Sequence, residues 1–425
     1  MRSLPLALAC LLGLSMPGAA ESYALEGANR SGRVELDAGD ASRPGRLRGD
    51  VLELQRGAVS GKLRAKRAKL DLVVRAQSNG TLQLVSRARV TQRLRGEDAQ
   101  GLVGVLAPFA NGWTGSLHGA QVSLRRAPAP PPDVEVVLVR GLACALYERM
   151  GPTLDENQLA LEVRGWSVSR APVNSLAPVD ENASVLIEFL RRRVEAGKRV
   201  LLIAHSKGVP DTLTALARAP DLVPEVYGLI AIQSAYYGSP LADVLTRFEG
   251  LHGSLGYAFE QVLPLLSGES AGSSQSVFDL DREVSLARAL REPPVRVIRR
   301  VPTVTVRSHY SRASRDVLEG DRIHDPLNQV SQRLMETLHG STSDGMVVFE
   351  NQRLPGAWAD VVIANLSHAE SILRGRQAGV TPCRLTHVAL DALLDARRRA
   401  PTRSARTRAI DLPLGAATRP PTPSR

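Results

Sequence analysis

The sequence predicts an α/β fold, a mostly parallel sheet with helices on both faces, preceded by a small mainly-β domain. Three observations predict it. Between residues 134 and 395, short apolar runs alternate with stretches of helical periodicity, the pattern of a sheet covered on both sides. Residues 21–127 instead alternate apolar with basic or polar side chains at a period of two, with turn residues such as Ser78-Asn79-Gly80 between the runs. Pro128, Pro130, Pro131 and Pro132 make residues 128–133 a stiff linker between the two regions.

The elements follow in chain order. Residues 1–20 combine Arg2, an apolar stretch from Leu4 to Leu14 and the small residues Gly18-Ala19-Ala20, the pattern of a signal peptide, so export to the periplasm or the extracellular space is expected. Cys10 falls too early in that stretch for a lipid-anchored cysteine. In the β domain Leu82, Leu84, Ala88 and Val90 share one strand face. Val134 to Val139 reads as a strand buried on both sides. Thr153-Leu154-Asp155-Glu156 has the form of a capping box opening a helix that Gly165 closes, and a strand is expected from Trp166 to about Arg170. Residues 180–196 place Val185, Leu186, Phe189, Leu190 and Val194 at helical spacing before Gly197. Val200 to Ile203 is the next strand, residues 209–219 the next helix, and Val226 to Ile232 and Thr303 to Arg307 are two further strands. Leu251, Leu255, Phe259, Val262, Leu263 and Leu266 form an apolar helical stripe, readable either as core packing or as a lid over residues 244–276. Residues 396–425 are rich in Arg, Pro and Thr without apolar periodicity, and a disordered basic tail is expected.

The chemistry gathers around Ala204-His205-Ser206-Lys207-Gly208, which lies between an apolar strand and a helix. A serine hydroxyl becomes a nucleophile when it is exposed, held near a base and placed beside amide donors, and a tight strand-to-helix turn supplies exposure and donors together. Small residues two positions either side let strand and helix approach closely, and Ala204 and Gly208 meet that demand. An acid and a histidine follow downstream, in that order: Asp344 in the turn Ser343-Asp344-Gly345, and His368 in the loop after the apolar run beginning at Val361. All three sit beyond strand ends, where reactive groups collect in an open parallel sheet. His205 is expected to point away from the serine, His309 and His324-Asp325 to have surface or structural roles, and the Lys207 side chain to be solvated or ion-paired; Asp325 is the rival for the acid, but it lacks the Ser-Asp-Gly-x-Val turn around Asp344.

Over residues 133 to 395 the chain resembles the α/β-hydrolase superfamily, and within it the bacterial triacylglycerol lipases. Leu138-Val139-Arg140-Gly141-Leu142 is similar to their His-Gly-Leu loop, Ala-His-Ser-Lys-Gly to the nucleophile elbow, and Gly238-Ser239-Pro240-Leu241-Ala242-Asp243 to their Gly-Ser-Pro-x-Ala-Asp. Ser343-Asp344-Gly345-Met346-Val347 and Ser367-His368-Ala369 resemble their acid and histidine loops. The sequence departs from the family at Arg140, where histidine is usual, and at Val209, where a second glycine often stands. The resemblance implies the α/β-hydrolase fold and a serine esterase or lipase with Ser206, Asp344 and His368 as its catalytic residues. It also implies that the backbone N–H groups of Leu142 and Lys207 receive the oxyanion.

Other classes find less support. No glycine-rich dinucleotide loop follows a strand, and no spacing of His, Cys or carboxylates marks a metal site, so no cofactor or metal is expected. The net charge of +11 lies in residues 21–127 and the tail, while residues 134–395 are net acidic, so no nucleic-acid partner is expected at the site. An anionic membrane or envelope surface is the partner such charge would suit. The substrate is read as an ester with a hydrophobic acyl chain, with a polyester or phospholipid as alternatives. The rival reading is an inactive hydrolase-like protein that binds the envelope. Cys144 and Cys383 leave one disulfide or two buried thiols open.

Overall fold

The computed structural model describes residues 21–27, 30–39, 44–56, 63–77, 79, 81–86, 102–109, 112–118, 120–126, 129–142, 144, 153–247, 275–309, 335, 337, 342–364, 366–373 and 380–399. The expected signal peptide, the stripe from Leu251 to Leu266, the pair His324-Asp325, and Ala88 and Val90 lie outside them.

The mainly-β domain closes into a barrel. Its strands are β1 (Glu21–Gly27), β2 (Arg30–Gly39), β3 (Pro44–Arg56), β4 (Leu63–Ala76), β5 (Leu82–Ser86), β6 (Leu102–Phe109), β7 (Gly112–Leu117) and β8 (Ala120–Arg126). Each pairs antiparallel with the next, and β1 returns to pair with β8. Period-two alternation explains the filling. Leu25, Val34, Leu47, Leu72, Leu84 and Leu124 all turn inward, and Tyr23 meets Trp113 edge-on with ring centroids 5.4 Å apart. Outside, the register on β2–β4 sets Asp37 opposite Arg46, and Glu35 opposite Arg48, which itself faces Asp71 at 3.4 Å. Acidic side chains on that face thus stand opposite basic ones across the strands.

The second unit carries a six-stranded sheet of β9 (Val134–Val139), β10 (Ser167–Arg170), β11 (Arg199–His205), β12 (Val226–Ile232), β13 (Thr303–His309) and β14 (Ala359–Ala364), in the order β10-β9-β11-β12-β13-β14. Every neighbouring pair is parallel. Its helices are α1 (Asp155–Glu162), α2 (Val179–Glu195), α3 (Gly208–Arg218), α4 (Pro240–Arg247), α5 (Gln275–Phe278), α6 (Arg282–Arg291), α7 (Pro294–Ile298) and α8 (Pro382–Arg399). Alternate strand residues serve opposite faces. Val137, Leu202 and Ala204 pack with Leu186 and Leu190 of α2 and Leu213 of α3, whereas Val136, Leu201 and Ile203 pack with Leu161 of α1 and Leu390 and Leu393 of α8. Strands buried on both sides need continuous apolar runs, which is why these were legible. The α/β class with a mainly-β domain ahead of it is the architecture expected from the sequence. The two units touch at α1 and the turn after it: Arg33 N–H donates to Val163 O at 3.2 Å, and Arg67 pairs with Glu162 at 3.0 Å.

Three details differ from expectation. The capping box does not form: the N-cap of α1 is Leu154, left-handed at φ 60 and without a side-chain cap bond. Leu154 is buried, and its N–H donates to Ile372 O at 2.8 Å, so tertiary packing sets this backbone and moves the helix start past Thr153. α6, α7 and α8 occupy stretches to which no helix was assigned. α8 runs beyond residue 395, because the Arg397 guanidinium lies 3.8 Å from the Tyr227 ring centroid and donates to Tyr227 O, so residues 396–399 are helix and not tail. Of the two readings left open for Cys144 and Cys383, the structure has two buried thiols and no disulfide joining them.

Candidate active site

Ser206 sits where β11 gives way to α3, with φ 54, a left-handed conformation uncommon for a residue with a side chain. Its N–H donates to Ile232 O at 2.9 Å and its carbonyl accepts from Val209 N–H at 3.0 Å, which pins the turn from both sides. The approach of neighbouring backbone is close enough to demand glycine twice. A Cβ on Gly208 would lie 2.7 Å from the carbonyl oxygens of Val139 and Arg140, and one on Gly141 would lie 2.8 Å from Ser206 Cβ and 2.9 Å from His205 O. The segment bearing Leu142 therefore passes directly beside the serine. Arg140, standing where the lipases it resembles have histidine, donates from Nε and Nη2 to Val173 O at 2.9 and 2.7 Å and holds this segment to the loop after β10.

The structure brings Ser206, His368 and Asp344 into one hydrogen-bonded line. Asp344 Oδ2 lies 2.7 Å from His368 Nδ1, so that nitrogen carries the proton and donates to the carboxylate. Nε2 is then an acceptor, and Ser206 Oγ lies 2.8 Å from it. The other carboxylate oxygen, Oδ1, accepts from the N–H groups of Met346 and Val347 at 2.9 and 2.8 Å, and Asp344 O accepts from His368 N–H at 3.0 Å. The acid and histidine loops are thus tied to each other through main chain as well as side chain. Ser239 of the Gly-Ser-Pro segment donates its hydroxyl to Met346 O, linking that segment to the acid loop.

Three polar groups behind the line were not singled out from sequence. Gln352 accepts from Ser308 N–H at 2.8 Å and donates to Ser308 O and Val347 O at 3.0 and 3.1 Å, joining the end of β13 to the acid loop. Gln233 and Ser371 join β12 and β13 to the histidine loop. An amide directly after an apolar strand is the sequence signal for Gln233, since such a side chain must find partners, whereas Gln352 ends a short helical turn, Glu350–Gln352, that carries no such signal. His205 takes a structural place in this network. It backs the base, with its ring 4.8 Å from the His368 ring and Nε2 3.1 Å from His368 O. Burial, with a smaller contribution from His368, lowers its pKa to about 3 and keeps it uncharged.

Lys207 is wholly buried and ion-paired, its Nζ donating to both oxygens of Asp211 at 3.1 and 3.2 Å. Asn182 Nδ2 donates to Asp211 as well, at 2.9 Å. Burial raises the Asp211 carboxyl to about 6 even though Lys207 and Asn182 pull it down. The pair spans the first turn of α3 and anchors the side chain of the residue whose N–H follows the serine. His309 packs edge-on against Phe349 at 5.0 Å. Among the described residues no group of three or more His, Cys, Asp or Glu could hold a metal ion.

Strand, tight turn with serine, helix, then acid and histidine loops beyond later strands of a parallel sheet is the α/β-hydrolase arrangement. No protein-family model matches the chain, and no curated protein matches it. Among solved structures it is similar to a metagenomic carboxyl esterase, at 20% identity and a TM-score of 0.47 over 73% of this chain and 87% of that one. A Bacillus licheniformis lipase in mature form is similar at 19% identity and a TM-score of 0.40, over 57% of this chain and 89% of that one. A Legionella pneumophila phospholipase is similar at 14% identity and a TM-score of 0.40, over 64% of this chain and 61% of that one. Identities and scores this low leave the chemistry of this chain to be read from its own side chains.

Proposed function

We propose that this chain is an exported serine hydrolase that cleaves carboxylic esters through an acyl-enzyme. The observation that carries the reading is the continuous line from Ser206 Oγ through His368 to Asp344, built on a left-handed serine between strand and helix. His368 Nε2 takes the hydroxyl proton as Ser206 Oγ attacks the ester carbonyl. Asp344 holds the imidazole in the tautomer that can accept it and stabilises the imidazolium that forms. Collapse of the tetrahedral adduct breaks the bond to the alcohol oxygen, which leaves with the proton from His368. Water then attacks the acyl group by the same path, giving the acid and restoring the serine. Negative charge on the former carbonyl oxygen is received by the N–H groups of Leu142 and Lys207, and losing one such donor costs about 3 kcal/mol in the barrier.

A hydrophobic acyl chain is the favoured substrate feature. Leu176, Ala235, Ala242, Val277, Leu280 and Val347 form an apolar cluster against which Leu142 and Met346 pack, so residues flanking both the proposed oxyanion site and the acid turn are apolar. The reading is tested by a fluorophosphonate, which reacts with an activated serine whatever the natural ester, followed by nitrophenyl esters of increasing chain length. Labelling at Ser206 with turnover of the esters is expected. An unlabelled, folded protein would favour the inactive binding protein instead.

The basic excess of the barrel region and tail supports a second part of the proposal, attachment to an anionic membrane or envelope surface. Removing residues 21–127 is expected to leave hydrolysis of a small soluble ester largely intact and to weaken sedimentation with anionic vesicles. The binding lost should be salt-sensitive, because the Debye length falls from about 10 Å at 0.1 M to about 3 Å at 1 M. A folded truncation that is dead on small esters, or that sediments as well as the full chain, would refute this division of labour.

A further inference from the structure

His368 has far to reach. Its loop follows β14, the outermost strand, whereas Ser206 follows β11, three places inward. At about 4.8 Å per strand the loop must return across roughly 14 Å of sheet edge. Leu366, Ser367 and His368 are buried, so the carbonyls there require donors.

Gln233, the first residue after β12, stands midway along that path. It is fully buried and left-handed at φ 48, a conformation that persists in a residue with a side chain only where the surroundings impose it. Its amide has four hydrogen-bonding positions, two N–H donors and two acceptor sites, and all four are used. Nε2 donates to Ser367 O at 3.0 Å and to Ser308 Oγ at the end of β13. Oε1 accepts from Ser371 Oγ at 2.6 Å and from His205 Nε2 at 3.3 Å. Ser367 and Ser371 bracket His368, so one side chain holds both ends of the short turn that bears it. Within that turn His368 O lies 3.1 Å from His205 Nε2 and 3.2 Å from Ser371 Oγ. That nitrogen faces two oxygens that carry no hydrogen, so it bears the proton and donates. His205 in turn takes part of its orientation from Gln233.

We propose that Gln233 is a positioning residue for His368, an amide hub at the end of β12 that fixes the base's turn on both sides and so sets its distance to Ser206. This rests on His368 being the general base. The mechanism gives Gln233 no contact with substrate, and its effect passes through the placement of the imidazole. A base displaced by about 1 Å can lose about a hundredfold in rate.

The test is Gln233→Met in the full-length chain, which keeps the side chain's length and removes all four bonds. Titration with a fluorophosphonate counts competent serines, and turnover of a nitrophenyl ester is then expressed per titrated site. A positioning role predicts that nearly all serines still react, but slowly, with kcat per site down about a hundredfold and KM little changed. A merely structural role predicts fewer titratable sites, each turning over at the wild-type rate, and that result would overturn the proposal. Should Gln233→Met be recovered unfolded, Ser308→Ala removes a single bond of the hub, the acceptor of Gln233 Nε2, outside the turn that bears His368, and is read in the same way. A smaller fall in kcat per site supports the proposal, and wild-type turnover per site overturns it. Absence of labelling in the wild-type protein would instead remove the hydrolase reading on which the proposal stands.

Discussion

Ser206→Ala is expected to abolish fluorophosphonate labelling and to lower ester turnover about a millionfold, the scale of nucleophile loss in residues that act as a unit. The fold should survive, because the turn is held by main-chain bonds to Ile232 and Val209 that alanine can also make. The left-handed φ of 54 is no easier for alanine than for serine, so unfolding in urea should change little. A purified, folded variant that kept a tenth of wild-type turnover would show that another group attacks the ester.

The second large effect is expected at the acid. Asp344→Asn preserves size, yet the amide presents an N–H₂ group that can meet His368 Nδ1 only if that nitrogen gives up its proton. The proton then moves to Nε2, the atom that must accept from Ser206, and turnover should fall about ten-thousandfold across the pH range. Part of the carboxylate's work is local, since Oδ1 also accepts from the N–H groups of Met346 and Val347 at 2.9 and 2.8 Å. Comparing Asp344→Asn with Asp344→Ala by thermal unfolding therefore separates loop anchoring from tautomer control. If Asp344→Asn retained near-wild-type turnover, the acid would have to be sought elsewhere, and the rival from the sequence is Asp325.

The sheet was legible because its physics is local. Strands such as β9, β11 and β12 are buried on both faces and must be apolar without interruption, and reactive residues must follow strand ends, so Ser206, Asp344 and His368 could be placed in order on residue type alone. What escaped depends on distant contacts. A period-two pattern is the same in an open sheet and a closed one, so nothing near β1 announces its pairing with β8. Gln233 meets Ser308 and Ser367 across 75 and 134 residues, and only the fold brings them together. Thr153 has the right neighbours for a cap, but the burial of Leu154 fixed the backbone differently. Arg397 lies in a run that reads as unstructured until Tyr227 is found beneath it.

Barrel closure also sets an order of events. The strand synthesised first, β1, has the strand synthesised last, β8, as one of its two neighbours, and their register joins Tyr23 to Arg126 and Gly27 to Val122. Until residues 120–126 exist, β1 exposes a row of unpaired N–H and C=O groups that no later hairpin can cover. A contact spanning the whole domain raises its contact order, and such pairings form slowly relative to hairpins. The nascent domain therefore passes through an open, eight-minus-one stage with two adhesive edges. At high concentration, exchange of β1 between chains competes with closure of each chain upon itself.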